Sequence, residues 1–495
     1  MKLKYLIIPI MIYYACFLFH ESCLRADSAR YFVLGRSIAN GTGYVDEYLP
    51  EPKPAHVCPP GYAFLLSIVI KIFGANIVLL RMLTVIFSGL SLLVLIGILN
   101  KYLDSKEVAA VFLLFALNPL FLNYAHALMS EAGYILFSWI AIYIFLAWED
   151  SLSAPKVLLG ALIVIISFYI RTVGAILFLS LFIYLLMRRK YTYAMLFGLI
   201  GMLMIPWFIY GLNNTNGYDY IFKLRDPYNL SLGTIKISDM PLRFLSNLKY
   251  YGGKVVADIV FFPYFREVTF GDVLFPVKIF LSVLFSALFI SGFYRCVRKN
   301  AGIIELYIII YIVMLMFWTY HDERFLLPIY PFLLGYLMII LRRPKLVLAK
   351  KVIVSALFLA LIPANIVMAR GLADRDTSPE SSFFETMSWV KENTPPAAII
   401  LSCDPVAVYL YSQRKGATLE LEPDARKAFS SIRKNKIDYI VAWKYDSLKK
   451  KGKAVFVVED FLYPLLEKYP DSIKLAYESS GKPIIYVYKI DMHRR

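Results

Sequence analysis

About eleven apolar runs, each long enough to cross a bilayer or to half-cross it and pack, dominate the chain. They fall near 3–20, 77–100, 107–124, 128–147, 157–171, 173–187, 192–211, 274–295, 303–320, 325–341 and 350–368. In lipid every backbone polar group must be satisfied within the segment, so the pattern predicts a polytopic α-helical membrane protein. The stretch 157–187 admits one long helix. Arg171-Thr172-Val173-Gly174 in its middle favours two, because an arginine at the bilayer midplane is costly and a turn puts it at the headgroups.

The distribution of basic residues orients the runs. Sixteen lysines and arginines fall on one side, at 2–4, 101–106, 156, 188–190, 295–299 and 342–351. The short turns opposite, near 125, 171 and 321, hold only Arg171 and Arg324. Basic residues mark the cytoplasmic side, so the N-terminus is expected there and the C-terminus outside. Lys2 and Lys4 before an apolar stretch resemble a signal sequence without a small-x-small cleavage site, and the reading is an uncleaved first span in the inner (plasma) membrane.

Composition narrows the class. The 495 residues are 59% hydrophobic and 18% charged, which excludes a disordered chain and an ordinary soluble one. The net charge of +17 would suggest nucleic acid in a soluble protein. Here the basic residues sit at the ends of apolar runs, where they set topology and meet anionic lipid, so the expected partner is the bilayer and not nucleic acid. Aromatics at 16% suit interfacial belts and a site that stacks on sugars. The five cysteines form no CxxC pair. Cys23 and Cys58 share one loop and could bridge, though free thiols are the plainer reading.

Three larger segments are expected outside: 21–76, 212–273 and 371–495. In the first, Ser28 to Ala39 reads as a surface helix, and Gly61–Phe73 as an amphipathic one at the interface. The second opens on the loop signal Asn213-Asn214-Thr215-Asn216-Gly217. The third is richer in charge. It reads as helices at Phe383–Glu392, Asp424–Lys434 and Asp460–Lys468, with strands at Ala398–Ser402, Tyr439–Trp443, Ile473–Tyr477 and Ile484–Tyr488. That alternation predicts a small extracytoplasmic α/β domain at 371–495 behind a membrane domain at 1–370. It has no Gly-rich phosphate loop.

The residues able to do chemistry collect at the outer surface. Asp27-Ser28-Ala29-Arg30-Tyr31 follows the first span, and on a helix Arg30 and Tyr31 share the face of Asp27. Asp27 can act as a general base on an acceptor hydroxyl, with Arg30 holding it ionised or steadying a phosphate. A surface ion pair at a helix start is the plain alternative. Glu131, just inside the fourth span, is a second candidate against a snorkelling glutamate. Arg171 and Arg324 end spans at the same surface and suit a phosphate, since arginine pairs with it bidentately. Of the five histidines, His20, His56, His126 and His321 fall on that side and His493 in the tail. A divalent metal could be held by His56 or His321 with Asp27 or Glu131, although histidines at headgroup depth are the plainer reading.

Taken together these motifs resemble the GT-C superfamily of integral membrane glycosyltransferases over about residues 1–345. The resemblance rests on Asp27-x-x-Arg30-Tyr31, Gly41-Thr42-Gly43-Tyr44, Pro59-Pro60-Gly61-Tyr62, Lys71-Ile72-Phe73-Gly74, Arg81, Ser130-Glu131, Arg171-Thr172-Val173-Gly174 and Arg324-Phe325-Leu326-Leu327-Pro328. The chain is similar to the bacterial aminoarabinose transferases of lipid A, the protein O-mannosyltransferase-like enzymes and the lipopolysaccharide-core glycosyltransferases. The resemblance implies a polyprenyl-phosphate sugar donor, inverting transfer and a site at the outer surface. It places Asp27 and Glu131 at the two acidic positions, Arg324 at the donor phosphate, and Tyr31 and Tyr62 in the substrate loop. Ser28 stands where the family often has another acid, and Val57 and Cys58 where the aminoarabinose branch has an acid–base pair. Those departures argue against that branch's sugar and zinc site, with His56 as the substitute ligand.

The expected function is transfer of a sugar from a polyprenyl-phosphate carrier to an envelope glycolipid or polysaccharide. The alternatives are a protein Ser/Thr acceptor, a polyprenyl-lipid transporter or flippase, and a non-catalytic assembly protein. A transporter should show internal repeats and ionisable groups near the midplane, and the sequence displays neither.

Overall fold

The computed structural model describes residues 3–18, 23–212, 218–227, 232–265, 268–373, 380–418, 424–444, 462–481 and 483–491. His20, His493, the Asn213–Gly217 loop signal and the expected helix start at Asp460 lie outside the described residues. The first half is almost wholly helical: α1 Ile7–Cys16, α2 Ala26–Ala39, α3 Pro60–Phe73, α4 Ile77–Leu99, α5 Ser105–Ala116, α6 Pro119–Ala125, α7 Glu131–Ala147, α8 Ala154–Ile170 and α9 Gly174–Met187. It continues with α10 Tyr191–Gly201, α11 Ile205–Leu212, α12 Tyr218–Lys223, α13 Met240–Tyr250, α14 Val256–Val260, α15 Phe275–Asn300, α16 Ile303–Phe317, α17 Tyr330–Ile340 and α18 Val347–Ala373.

Among the described residues four helices are long and apolar enough to cross a membrane: Ile77–Leu99, Tyr191–Gly211, Phe275–Lys299 and Pro344–Arg370. The pair α5 and α6, bent by 63°, makes a fifth if it is one span. Other apolar helices run 10–17 residues. Length alone thus gives four or five spans where the apolar runs gave about eleven, because caps and breaks cut the runs short. Asn118 is one such break. Its side chain accepts from the N–H groups of Leu120 and Phe121, and Pro119 behind it starts the new helix.

The break expected inside 157–187 is present. Arg171 leaves α8 in an extended conformation (φ −147°, ψ 129°), and α9 restarts at Gly174. A Cβ on Gly174 would lie 2.6 Å from the backbone of Phe168, so only glycine lets the two helix ends approach this closely. Gly61 has a similar role in Pro59-Pro60-Gly61. Pro60 opens α3 at its first position, and a Cβ on Gly61 would meet the Tyr169 carbonyl oxygen at 2.6 Å. Gly61→Ala is therefore expected to destabilise the protein by about 1–3 kcal/mol through overpacking. Thermal unfolding in detergent reads this, and an unchanged midpoint would mean that α3 and α8 are not in contact there.

Charge segregates to two ends of the bundle. α17 begins just after Arg324 and ends just before Arg342. α7 begins at Glu131 and ends near Glu149, α8 returns to Arg171, and α9 leads away to Arg188. At the far end the buried Glu107 carboxylate accepts from Arg342 and from Lys350 Nζ at 2.7 Å, and Arg188 pairs with Glu149 at 3.0 Å. Asp27, Glu131, Arg171 and Arg324 share the other end.

The tail forms a five-stranded sheet of β3 Ile399–Ser402, β4 Lys415–Thr418, β5 Tyr439–Lys444, β6 Ile473–Glu478 and β7 Ile484–Ile490; a short hairpin, β1 Val45–Asp46 with β2 Lys53–Pro54, lies in the first loop. The order is β4-β3-β5-β7-β6, parallel among the first three strands and antiparallel from β5 through β7 to β6. Its helices are α19 Glu380–Asn393, α20 Pro405–Ser412, α21 Ala425–Lys434 and α22 Tyr463–Lys468. The pair α20–β4 was not visible in the sequence. The tail is not a separate bead: Phe383, Met387, Ile400 and Trp443 share one apolar core with Ala29, Phe32, Tyr62 and Leu66 of α2 and α3.

Candidate functional site

The site grows from four segments far apart in sequence. The first is the start of α2, where Asp27 lies in the first turn with its side chain 48% accessible. The second is the start of α7, where Glu131 is only 4% exposed. The third is the α8–α9 break carrying Arg171. The fourth is a single turn of 3₁₀ helix, Glu323–Leu326, carrying Arg324 and capped by Asp322, whose carboxylate accepts the Arg324 N–H at 3.0 Å.

Arg324 ties these together. Its Nη2 lies 3.3 Å from Asp27 Oδ2, its Nη1 3.3 Å from Glu131 Oε1, and its Nε 3.2 Å from Asp322 Oδ2. Arg171 Nη1 approaches the same Glu131 oxygen at 2.6 Å and donates to Ser130 Oγ at 3.3 Å. The Phe325 ring lies under both guanidinium groups, 6.0 Å from that of Arg171 and 5.5 Å from that of Arg324. Burial alone would lower the pKa of Arg324, but Glu131, Asp322 and Asp27 outweigh it, so the group is held more firmly charged than usual. The result is one accessible carboxylate beside two fixed cations, with a buried carboxylate anchoring both.

Tyr31 of α2 and Tyr62 of α3 support this arrangement. Tyr31 donates its hydroxyl to Ser130 Oγ at 3.0 Å and packs edge-on to Tyr62, ring centroids 4.9 Å apart. Tyr62 is fully buried, its hydroxyl 3.2 Å from Thr84 Oγ1. Arg30 points elsewhere than expected. It pairs with the buried Asp46 at 3.5 Å and donates to the Tyr48 hydroxyl at 2.9 Å, because the β1–β2 hairpin folds an acid beside it. Glu131 holds Arg171 and Arg324. Cys58 sits buried near Asp27, Arg30 and Tyr31; burial first and Asp27 next push its thiol up to about 11, and no disulfide joins any of the five cysteines, all of which are described.

Among the described residues the histidines do not converge. His321 Nε2 is 2.6 Å from Asn247 Oδ1, and its ring lies 4.6 Å from that of Tyr250. His126 Nδ1 meets the Leu122 carbonyl at 2.8 Å. His56 lies near Asp46. Among the described residues no three His, Cys, Asp or Glu side chains form a group able to hold a metal ion. The expected pairing of His56 or His321 with Asp27 or Glu131 thus has no donor set among the described residues. Sequence reasoning did not single out Asp46 or Tyr48, took Ser130 only as part of the Ser130-Glu131 motif, and gave Asp322 no role, although it stands as a capping residue two before Arg324.

Residues 57–210 match a family model described as dolichyl-phosphate-mannose-protein mannosyltransferase. No curated protein matches the sequence. Among solved structures, ArnT from Cupriavidus metallidurans bound to undecaprenyl phosphate is similar at a TM-score of 0.58 and 12% identity, covering 100% of this chain and 99% of that one. The Archaeoglobus fulgidus oligosaccharyltransferase in complex with zinc and sulfate is similar at 0.58 and 15% identity, covering 98% of this chain and 74% of that one. The same enzyme tethered to an acceptor peptide gives 0.58 at 13% identity, covering 99% and 74%. The protein is an integral membrane protein whose fold is that of the GT-C superfamily of membrane glycosyltransferases, as the sequence motifs implied.

Proposed function

We propose that the protein is an inverting glycosyltransferase that moves a sugar from a polyprenyl-phosphate carrier to an envelope glycolipid or polysaccharide. The reading places about eleven spans in the inner membrane, the N-terminus in the cytoplasm, and the site and the domain at 371–495 outside. The observation that carries it is the contact of Arg324 with both Asp27 and Glu131, which sets one accessible carboxylate against paired arginines.

In this mechanism Asp27 takes the proton of the acceptor hydroxyl as its oxygen attacks the anomeric carbon. The bond from that carbon to the phosphate oxygen breaks, and polyprenyl phosphate leaves with the electron pair. Arg324 and Arg171 stabilise the charge that develops on it, where fixed cations act without reorganising. Glu131 is too buried to meet an acceptor, and its part is to hold the two guanidinium groups in place.

The match over residues 57–210 favours a second acceptor class, a protein serine or threonine. Protein in lipid nanodiscs, offered a panel of polyprenyl-phosphate sugars with either an envelope glycolipid extract or Ser/Thr peptides, separates the two. Transfer to glycolipid from one donor is the expected result. Transfer only to peptide would replace the acceptor, and no transfer from any donor would reject the reading. An EDTA arm with metal added back separates metal-dependent from metal-free transfer.

A further inference from the structure

Three consecutive residues leading into α2 are each held by the C-terminal domain. The Leu24 N–H donates to the Tyr411 hydroxyl at 2.8 Å. The Arg25 guanidinium lies over the rings of Phe383 and Trp443, 4.6 and 5.7 Å from their centroids. The Ala26 N–H donates to Asp404 Oδ2 at 2.9 Å. Ala26 has φ +46°, a left-handed conformation that a residue with a Cβ adopts only under constraint. The next residue is Asp27. The same domain also grips the far side of the loop: Lys415 Nζ donates to the Glu47 carbonyl at 2.6 Å, and the Gly416 N–H to that of Tyr48 at 2.8 Å. Tyr48 in turn receives Arg30.

The two oxygens of Asp404 have separate tasks. Oδ1 accepts the Ala407 N–H at 3.2 Å and caps α20, while Oδ2 reaches across to Ala26. A residue needed only to cap its own helix would use one oxygen. We infer that Asp404 is a positioning residue: it fixes the left-handed turn at Ala26 and thereby aims Asp27 at Arg324 and the acceptor. The C-terminal domain then acts as part of the site's framework. This rests on the glycosyltransferase reading for its kinetic consequence but not for the structural one.

Asp404→Asn tests it in the full-length protein in nanodiscs. The amide keeps one acceptor oxygen, enough to cap α20, and replaces the other with a donor that cannot accept from Ala26. The expected result is a fall in kcat of roughly tenfold to a hundredfold, the scale for a slightly misplaced group, with donor KM within about twofold. Hydrogen exchange at residues 24–29 should quicken while that of β3 and β5 stays unchanged. Adding Ala26→Gly should restore part of kcat, since glycine adopts φ +46° without bracing. Asp424→Asn, which alters the cap of α21 in the same domain, should leave kcat unchanged.

Wild-type kcat in Asp404→Asn, unaltered exchange at 24–29, or an equal loss in Asp424→Asn would each overturn the inference. If the wild-type protein transfers sugar from no donor, the glycosyltransferase reading fails, and the exchange measurement alone judges Asp404.

Discussion

Asp27→Asn is expected to lower kcat by about 10²–10⁴-fold, the range for removing a general base, with the melting temperature unchanged. The side chain is half accessible, and its ion-pair partner among the described residues is Arg324, so asparagine fits the same space without burying an unpaired charge. Donor binding should survive, because Arg171 and Arg324 keep Glu131 as their anchor. The signature is thus a loss in kcat with little change in donor KM. Steady-state transfer assays at several donor concentrations read this. A transporter would move its lipid equally well in both forms, since its coupling groups belong near the midplane and Asp27 lies at one end of the bundle.

Glu131→Gln is expected to be as damaging for a different reason. The Glu131 carboxylate is 4% exposed, and two guanidinium groups lie within 3.3 Å of one of its oxygens. Removing its charge leaves two partly buried cations facing each other, and breaking such a pair typically costs about 3–5 kcal/mol. Stability and kcat should therefore fall together, in contrast to Asp27→Asn. Adding Arg171→Leu should recover part of the stability, because one of the stranded charges is gone, while transfer stays low. Thermal unfolding and transfer measured on both variants check this. A Glu131→Gln protein with normal stability would show that the arginines do not depend on it.

The sequence disclosed the parts of the molecule that local chemistry controls. Apolar length located the helices, the cost of a midplane arginine located the break at Arg171, and Pro59-Pro60-Gly61 marked the start of α3. Counting basic residues put Asp27, Glu131, Arg171 and Arg324 on one side, and the two arginines do link the two acids through ion pairs. What stayed hidden depends on contacts between distant segments. Helical spacing put Arg30 beside Asp27, but a hairpin fifteen or more residues on supplies Asp46 as its partner. His321 read as a possible ligand because nothing near it in sequence announces Asn247. The segment α20–β4 was too short and too ordinary in composition to stand out, and with it Asp404 was missed.

The central claim is tested most directly by the fate of a polyprenyl-phosphate sugar labelled separately in its sugar and in its phosphate. The mechanism predicts that wild-type protein moves the sugar label to the acceptor with inversion at the anomeric carbon. The phosphate label stays on the lipid, and Asp27→Asn does neither at a comparable rate. Phosphate travelling with the sugar, retention at the anomeric carbon, or both labels crossing the membrane on an intact donor would contradict it.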